Sequence, residues 1–297
     1  MAPPDHTSRP PFVYLNGNVI GRDEARVSPF DRGFLYGDGF FETTRIVAGA
    51  PLLLDRHLRR LRDSCCAAGF GDGPDTADLA AGVDAVTAAN AISEGYLRIT
   101  VTRGEHTGRL AELRATEPTV FAEARPMDLP PLDRVPPIRL LRSRYSRNED
   151  SPIVRHKSLS YQGNVLALAE ARQAGADEVY FLDSHGRLTE GATTNLFLVR
   201  QGIACTPEVE CALLPGVTRE VVLELCRAND IPAETGRYSE DDLLEADEVF
   251  CTNGLRGIIP VSALIDHPEV TLSQRTITGR LQDLYAAFVA SDSAPLL

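Results

Sequence analysis

RHKSLSYQGNVLALAEA, residues 155–171, holds the only lysine of this 297-residue chain, whose 30 Lys and Arg residues are otherwise all arginine. Arginine serves ion pairs and phosphate contacts well, but its guanidinium stays protonated and cannot act as an amine nucleophile. A lysine ε-amine loses its proton where its surroundings depress the pKa, and it then forms an imine with a carbonyl. Composition offers a plainer account, because a chain rich in Ala, Arg, Gly and Pro carries few lysines. The neighbouring sequence decides between the two.

Working outward from Lys157, the apolar spacing of NVLALAEARQAG predicts a helix. DEVYFLD and LTEGATTNLFLV read as strands flanking the turn Ser184-His185-Gly186. Pro215-Gly216 introduces a helix, VTREVVLELCRAND, and EVFCTNG is a strand ending in a glycine turn. A last helix ends near residue 290. Upstream, IRLLRSRY is a strand, preceded by five prolines between positions 126 and 137 that show neither helical nor strand period.

The first half opens with a hairpin, FVYLNGNVI, turning at Asn16-Gly17. DRGFLYGDG reads as a glycine-punctuated loop, and FFETTRIVAGAPLLL as two strands around Ala48-Gly49-Ala50. Asp55 is placed to cap a helix that ends at Gly69, a second helix covers 76–90, and YLRITVTRG and TVFAEARPM are strands. Strands and helices mix without strict βαβ alternation, so the expected class is α+β, or irregularly mixed α/β. The organisation expected is a disordered tail over 1–11, a small N-terminal α/β domain over 12–125, a linker over 126–137 and a larger domain over 138–297.

A net charge of −12 argues against non-specific nucleic-acid binding, which needs a concentrated basic face. It also means that any anionic ligand must be held by local arginines and backbone NH groups rather than by the overall field. No stretch approaches the ~20 apolar residues of a membrane span, and the polar, proline-rich N-terminus contains no apolar signal segment. The six cysteines form no CxxC pair, which favours free thiols and a cytoplasmic setting. The six histidines form no ligand cluster, so no metal site is expected.

Several positions invite chemistry, each with an ordinary structural alternative. Gly216-Val217-Thr218 opens a helix, where free NH groups and the dipole attract an anion, although Pro-Gly also begins helices with no ligand. Asn253-Gly254 is either a second backbone-donor loop or a plain turn. Arg60 shares a helix with Arg56 and Arg59, and arginines on such a face are commonly solvated. Glu190 sits among small and apolar residues, where an acid is either exposed or buried with a partner. A carboxylate facing a heterocyclic nitrogen would keep that nitrogen protonated, as an electron sink requires. Gly37-Asp38-Gly39 does not complete a dinucleotide-binding glycine motif. One amine nucleophile, one acid, two backbone anion sites and an arginine together are what pyridoxal phosphate requires.

At this point the chain resembles the fold-type IV pyridoxal-phosphate enzymes, the class IV aminotransferases, from about Val13 to about residue 285. The motifs are DRGFLYGDGFFETTR, DRHLRRLRDS, YLRITVTRG, RHKSLSYQGNVLALAEA, ADEVYFLDSHGRLTEGATTNLFLV, LLPGVTREVV and EVFCTNGLRGIIPV, in the family's order. The resemblance implies a two-domain fold with the cofactor between a small N-terminal and a larger C-terminal domain, usually as a homodimer. It implies that Lys157 is the catalytic Schiff-base lysine, that Glu190 pairs with the pyridine nitrogen, and that Arg60, Val217, Thr218, Asn253 and Gly254 hold the phosphate. Tyr161 falls where members place a group near the cofactor.

For the substrate, Tyr96 and Arg98 match a Tyr-x-Arg of branched-chain enzymes, and Arg109 lies near a carboxylate-binding arginine of the D-amino acid enzymes and the lyase. Phe41 stands where D-amino acid enzymes have tyrosine, and Ala111 where they have histidine. FETTR departs from the branched-chain FEGIR, and FETTR, TRG and CTNGLRGIIPV look at least as much like aminodeoxychorismate lyase. The reading is therefore an aminotransferase moving an amino group between an amino acid, branched-chain or similar, and a 2-oxo acid. The runner-up is the lyase, which gives p-aminobenzoate and pyruvate; a D-amino acid or amine transaminase ranks lower.

Overall fold

The computed structural model describes residues 10–105, 108–111, 117–270 and 272–292. Most of the expected tail therefore lies outside the described residues. Contacts divide the chain into two units, Met1–Leu129 with Lys157–Ser160, and Pro130–His156 with Tyr161–Leu297.

In the first unit, β1 (Phe12–Leu15) and β2 (Asn18–Gly21) form the hairpin. A short helix α1 (Arg32–Tyr36) occupies what reads in sequence as a loop. Asp31 makes this helix possible: its carboxylate accepts from the Gly33 amide at 2.7 Å and from the hydroxyls of Thr102 and Thr119. Then follow β3 (Gly39–Val47), β4 (Ala50–Pro51), α2 (Leu54–Ala67), α3 (Thr76–Ala89), β5 (Gly95–Thr102) and β6 (Thr119–Pro126). Leu53, not Asp55, is the N-cap residue of α2, and Asp55 lies in the first turn, where an acid favours the helix dipole. Asp75 caps α3 through the amides of Ala77 and Asp78.

The six strands form one antiparallel sheet in the order β2-β1-β6-β5-β3-β4. Alternation gives this sheet two different faces. Phe40, Ile46, Leu97, Ile99, Val101, Ala122 and Ala124 pack with Leu58, Leu61, Cys65, Leu79, Val83 and Val86 of the two helices. The intervening residues, including Phe41, Tyr96, Arg98 and Arg125, leave the sheet on the opposite side.

Residues 157–160 pair with the start of β3. The Phe41 amide donates to the Lys157 carbonyl at 2.9 Å, and the Leu159 amide donates to Gly39 O at 2.9 Å. Gly39 permits this close approach. A Cβ there would lie 2.5 Å from the Val101 carbonyl and 2.7 Å from Leu159 Cδ1.

The second unit runs β7 (Ile138–Arg142), α4 (Gln162–Gln173), β8 (Glu178–Tyr180), β9 (Asn195–Arg200), β10 (Ile203–Pro207), α5 (Val217–Ala228), β11 (Ala233–Gly236), α6 (Glu240–Leu244), β12 (Glu248–Asn253), β13 (Gly257–Leu264) and α7 (Thr276–Asp292). Its mixed sheet has the order β11-β10-β9-β12-β13-β7-β8. One core gathers Leu140, Tyr180, Leu196, Leu198, Cys251, Ile259 and Val261, and Phe197 stacks on Phe250 at 4.6 Å. LTEGATTNLFLV is not one strand. Only Asn195–Arg200 is extended strand, and residues 191–194 form a tight turn closed by Gly191 N to Thr194 O at 2.7 Å. The six cysteines are free thiols, five of them buried. No helix among the described residues is long and apolar enough to cross a membrane.

Gly39→Ala should destabilise the fold by about 1–3 kcal/mol, because the nearest atom to the new methyl is the Val101 carbonyl, which as backbone cannot swing aside as the Leu159 side chain can. The loss should appear in the denaturant midpoint, and hydrogen exchange at the Leu159 amide should accelerate more than at core amides of β5. Unchanged exchange at Leu159 would contradict the pairing described.

Candidate active site

Lys157 is half-buried, and its Nζ lies 4.7 Å from the centroid of the buried Phe41 ring. The Arg98 guanidinium lies 4.0 Å from the same centroid, and Arg98 Nε donates to Thr100 Oγ1 at 3.3 Å. β3 and β5 thus bring Lys157, Phe41 and Arg98 together, with Tyr96 two residues away on the same face of β5.

On the other face of β3, Glu42 is 2% exposed. Its carboxylate accepts from Arg60 Nε at 2.8 Å and Nη2 at 2.6 Å, and its Oε2 lies 2.7 Å from His57 Nδ1. His57 and Arg60 are three residues apart on α2 and so share a helix face. Burial opposes ionisation of Glu42, but the Arg60 charge and the His57 hydrogen bond outweigh it and hold the carboxyl at about 2. Burial pushes the His57 imidazole below its usual value; the bond to Glu42 opposes this, while the Arg60 and Lys157 charges reinforce it. Sequence reading picked out Arg60 and missed this cluster. The available signal was an acid at position 42, on the strand face otherwise carrying Phe40, Thr44 and Ile46.

In the second unit Glu190 is 9% exposed. Its Oε2 accepts from the Leu214 amide at 3.0 Å and from Asn195 Nδ2 at 3.4 Å, and its Oε1 lies 3.6 Å from Arg147 Nη2. Arg147 donates to Asn164 Oδ1 at 3.0 Å and stacks on Phe181 at 4.0 Å. Asn164 Nδ2 and the Tyr161 hydroxyl both donate to the Ala192 carbonyl. Burial pushes the Tyr161 phenol up to about 12. The turn bearing Ala192 is anchored on Glu178, a buried acid that accepts from the amides of Val179, Ala192 and Thr193 and from the Thr193 hydroxyl. Burial raises the pKa of Glu178 despite these bonds.

Asn195 also joins Glu190 to the start of α5, because its Nδ2 donates to Leu214 O at 2.8 Å. Gly216, the N-cap residue, makes no side-chain capping bond, and a Cβ there would fall 1.8 Å from Asn195 Oδ1. The first-turn amides after Gly216 suit an anion, and Val217 and Thr218 are themselves buried. Asn253 Oδ1 accepts from the amides of Leu255 and Arg256, so its side chain closes its own loop beside Gly254. Arg109 is exposed on a loop whose residues 106–107 and 112–116 lie outside the described residues. Among the described residues, Glu149, Asp183 and His185 gather ligand atoms within 4.8 Å of one another. Asp183 already serves Arg187 and two backbone amides, and Glu149 serves Ser184.

A buried acid joined to an uncapped helix start in one unit, and an amine beside an aromatic ring and an arginine in the other, are the donor set seen in the motifs. The family model described as amino-transferase class IV matches residues 39–264. The chain belongs to the class IV aminotransferase family. A relative from Methanocaldococcus jannaschii, named "Putative branched-chain-amino-acid aminotransferase", is 37% identical over 280 residues, covering 92% of this chain and 96% of that one. The aminodeoxychorismate lyase of Bacillus subtilis is 31% identical over 281 residues, covering 92% and 93%. The solved branched-chain aminotransferase from Thermoproteus uzoniensis with norvaline superposes with a TM-score of 0.86 at 25% identity, covering 95% of both chains. As a class IV aminotransferase, this chain belongs to a pyridoxal-phosphate-dependent class.

Glu42 contributes stability at pH values above about 4.5, its ordinary value, and that contribution is lost as pH falls toward about 2. Glu42→Gln should cost about 3–5 kcal/mol at pH 7, because Arg60 loses its buried counter-charge. The difference from wild type should shrink below pH ~4.5. Denaturant unfolding of both proteins across pH 7 to 3 checks this; a gap that stays constant would contradict the ionised cluster.

Proposed function

We propose that this chain is an aminotransferase that moves an amino group between a branched-chain or similar amino acid and a 2-oxo acid, with Lys157 as the catalytic residue. The observation that carries the reading is the placement of the sole lysine, fixed by backbone pairing next to Phe41 and Arg98. Similarity to the branched-chain relative supports the choice of substrate.

The residues present fit pyridoxal phosphate by the chemistry of their donors: one amine, one buried carboxylate, first-turn amides and an arginine. When bound, the cofactor supplies an aldehyde for condensation with amines and a ring that accepts electrons. Lys157 Nζ would be the group that holds the cofactor and moves the proton to and from the substrate carbon. Glu190, its carboxylate held in place by Leu214 N, Asn195 and Arg147, would keep the ring nitrogen protonated. The amides at Val217 and Thr218 and the loop at Asn253-Gly254 would hold the phosphate, and Arg60 is proposed to add charge. Tyr161, its hydroxyl fixed on the Ala192 carbonyl, would line the cofactor's site. Phe41, Tyr96, Arg98 and Arg109 serve the substrate.

A second reading, aminodeoxychorismate lyase, is favoured by the B. subtilis relative. It would use the same lysine and acid and differ in which bond of the substrate breaks. We also read the protein as a cytoplasmic homodimer. Phe30, Phe34, Leu35 and Tyr36 lie together in sequence around α1, and each is exposed, Phe34 by 76%, a concentration of apolar surface that suits a partner copy.

Borohydride treatment of the cofactor-loaded protein should fix the cofactor covalently to wild type and not to Lys157→Ala, as read by mass. Turnover of L-leucine with 2-oxoglutarate should fall by about 10²–10⁴-fold or more in that variant. Release of pyruvate and p-aminobenzoate from aminodeoxychorismate, with no reaction of leucine or D-alanine, would replace the aminotransferase reading by the lyase. For assembly, Phe34→Asp should shift sedimentation from dimer to monomer, and an unchanged dimer would exclude this face.

A further inference from the structure

Glu178, on β8, is a buried acid to which the Lys157 reading gives no task. It is 3% exposed, and the donors that meet it are neutral. Its Oε1 accepts from the amides of Val179 at 2.9 Å and Ala192 at 3.1 Å. Its Oε2 accepts from the Thr193 amide at 3.0 Å and from the Thr193 hydroxyl. Burying a carboxylate is costly even with good partners, and closing the turn at 191–194 does not require it. That turn is closed by its own bond, Gly191 N to Thr194 O at 2.7 Å, and a Cβ at Gly191 would fall 2.3 Å from Thr194 Oγ1. What Glu178 adds is the place of the turn relative to β8.

That place matters because of the Ala192 carbonyl. It accepts from the Tyr161 hydroxyl and from Asn164 Nδ2 at 2.6 Å, which uses both of its lone pairs. Asn164 is held against turning over. Its Oδ1 accepts from Arg147 Nη1 at 3.0 Å, and a flipped amide would set NH2 against a guanidinium. Arg147 Nη2 in turn lies 3.6 Å from Glu190 Oε1. One carbonyl therefore fixes Tyr161 directly and bears on Glu190 through two intervening side chains.

We infer that Glu178 is a positioning residue: by fixing the turn at 191–194 it sets the Tyr161 hydroxyl and, through Asn164 and Arg147, the Glu190 carboxylate. Its consequence for the cofactor rests on the reading of Tyr161 and Glu190 as groups that line the cofactor's site.

Glu178→Gln tests this, because it keeps the volume and removes the match to the donors. Whichever way the new amide turns, its NH2 meets a backbone N–H, either those of Val179 and Ala192 or that of Thr193. In the cofactor-free protein, the NMR signals of Tyr161 Cζ and of the Asn164 side-chain amide should both shift, and unchanged signals would overturn the inference. In the loaded protein, Kd for pyridoxal phosphate should rise about tenfold, the low end of what loss of an outer-shell partner costs.

Glu248→Gln is the control. Glu248 is also 3% exposed and accepts from the amides of Ile277 at 2.9 Å and Thr278 at 2.8 Å, at the end of β12 away from Asn253. This variant should lose comparable stability in denaturant, leave both signals in place and keep the wild-type Kd. Equal loss of cofactor affinity in the two variants would make Glu178 a residue of the fold alone and overturn the inference. If Glu178→Gln does not fold, Thr193→Val decides, since it removes one of the four bonds at an exposed residue. It should shift the same two signals, and no shift would overturn the inference. A wild type that binds no pyridoxal phosphate, with both signals moved by Glu178→Gln, would refute the cofactor reading and leave the positioning by Glu178 standing.

Discussion

A β-strand sends consecutive side chains to opposite faces, and much of the candidate site in the first unit follows from that constraint acting on Phe41 and Glu42. Glu42 points toward α2, where burial without partners would be prohibitive. Arg60 and His57 supply three hydrogen-bonding contacts to it. The strand is thereby locked against the helix, and Phe41 is held rigidly on the other side, where its ring meets both Arg98 and Lys157. The Phe41 amide also fixes the Lys157 backbone. One strand therefore sets the position of the amine by main chain, its surroundings by side chain, and the orientation of Arg60 from behind.

The second unit solves a comparable problem with donors that are mostly backbone. Glu178 is a buried acid whose four bonds come from amides and one hydroxyl, and those bonds fold residues 191–194 into a turn. The turn presents the Ala192 carbonyl to Tyr161 and Asn164, Asn164 orients Arg147, and Arg147 lies against Glu190. Because Asn195 bonds both Glu190 and Leu214 O, the acid and the start of α5 are set by one side chain. A substitution at Glu178 would be felt at Glu190 through this chain of contacts without altering any candidate cofactor contact directly.

Much of this was legible in sequence because it is local. Hydrophobic period and turn residues placed the hairpin at Asn16-Gly17, the helices over 76–90 and 217–230, and the strands of both halves close to where the structure has them. The misreadings have a common cause. A helix at 32–36 depends on Asp31 reaching Thr102 and Thr119, which lie 71 and 88 residues away. The break of LTEGATTNLFLV at Gly191 depends on Glu178, and the return of 157–160 to β3 depends on the space left at Gly39. Positions such as Lys157, Glu190 and Arg60 could be named from motif alone. Their partners Glu42, His57, Arg147, Asn164 and Asn195 could not, since each is an ordinary polar residue until the fold brings an acid or amide next to it.

The two halves of the catalytic problem draw on different kinds of residue. Transamination and elimination share an amine, an electron-withdrawing ring and an acid to keep that ring charged, so the roles proposed for Lys157 and Glu190 are common to both. What separates substrates is binding away from the reacting carbon, where remote contacts set kcat/KM. The sheet face of the first unit that bears Phe41, Tyr96 and Arg98 is unconstrained in composition by the core behind it, because alternation isolates one face from the other. A family with a common lysine and acid can diversify on such a face at little cost in stability.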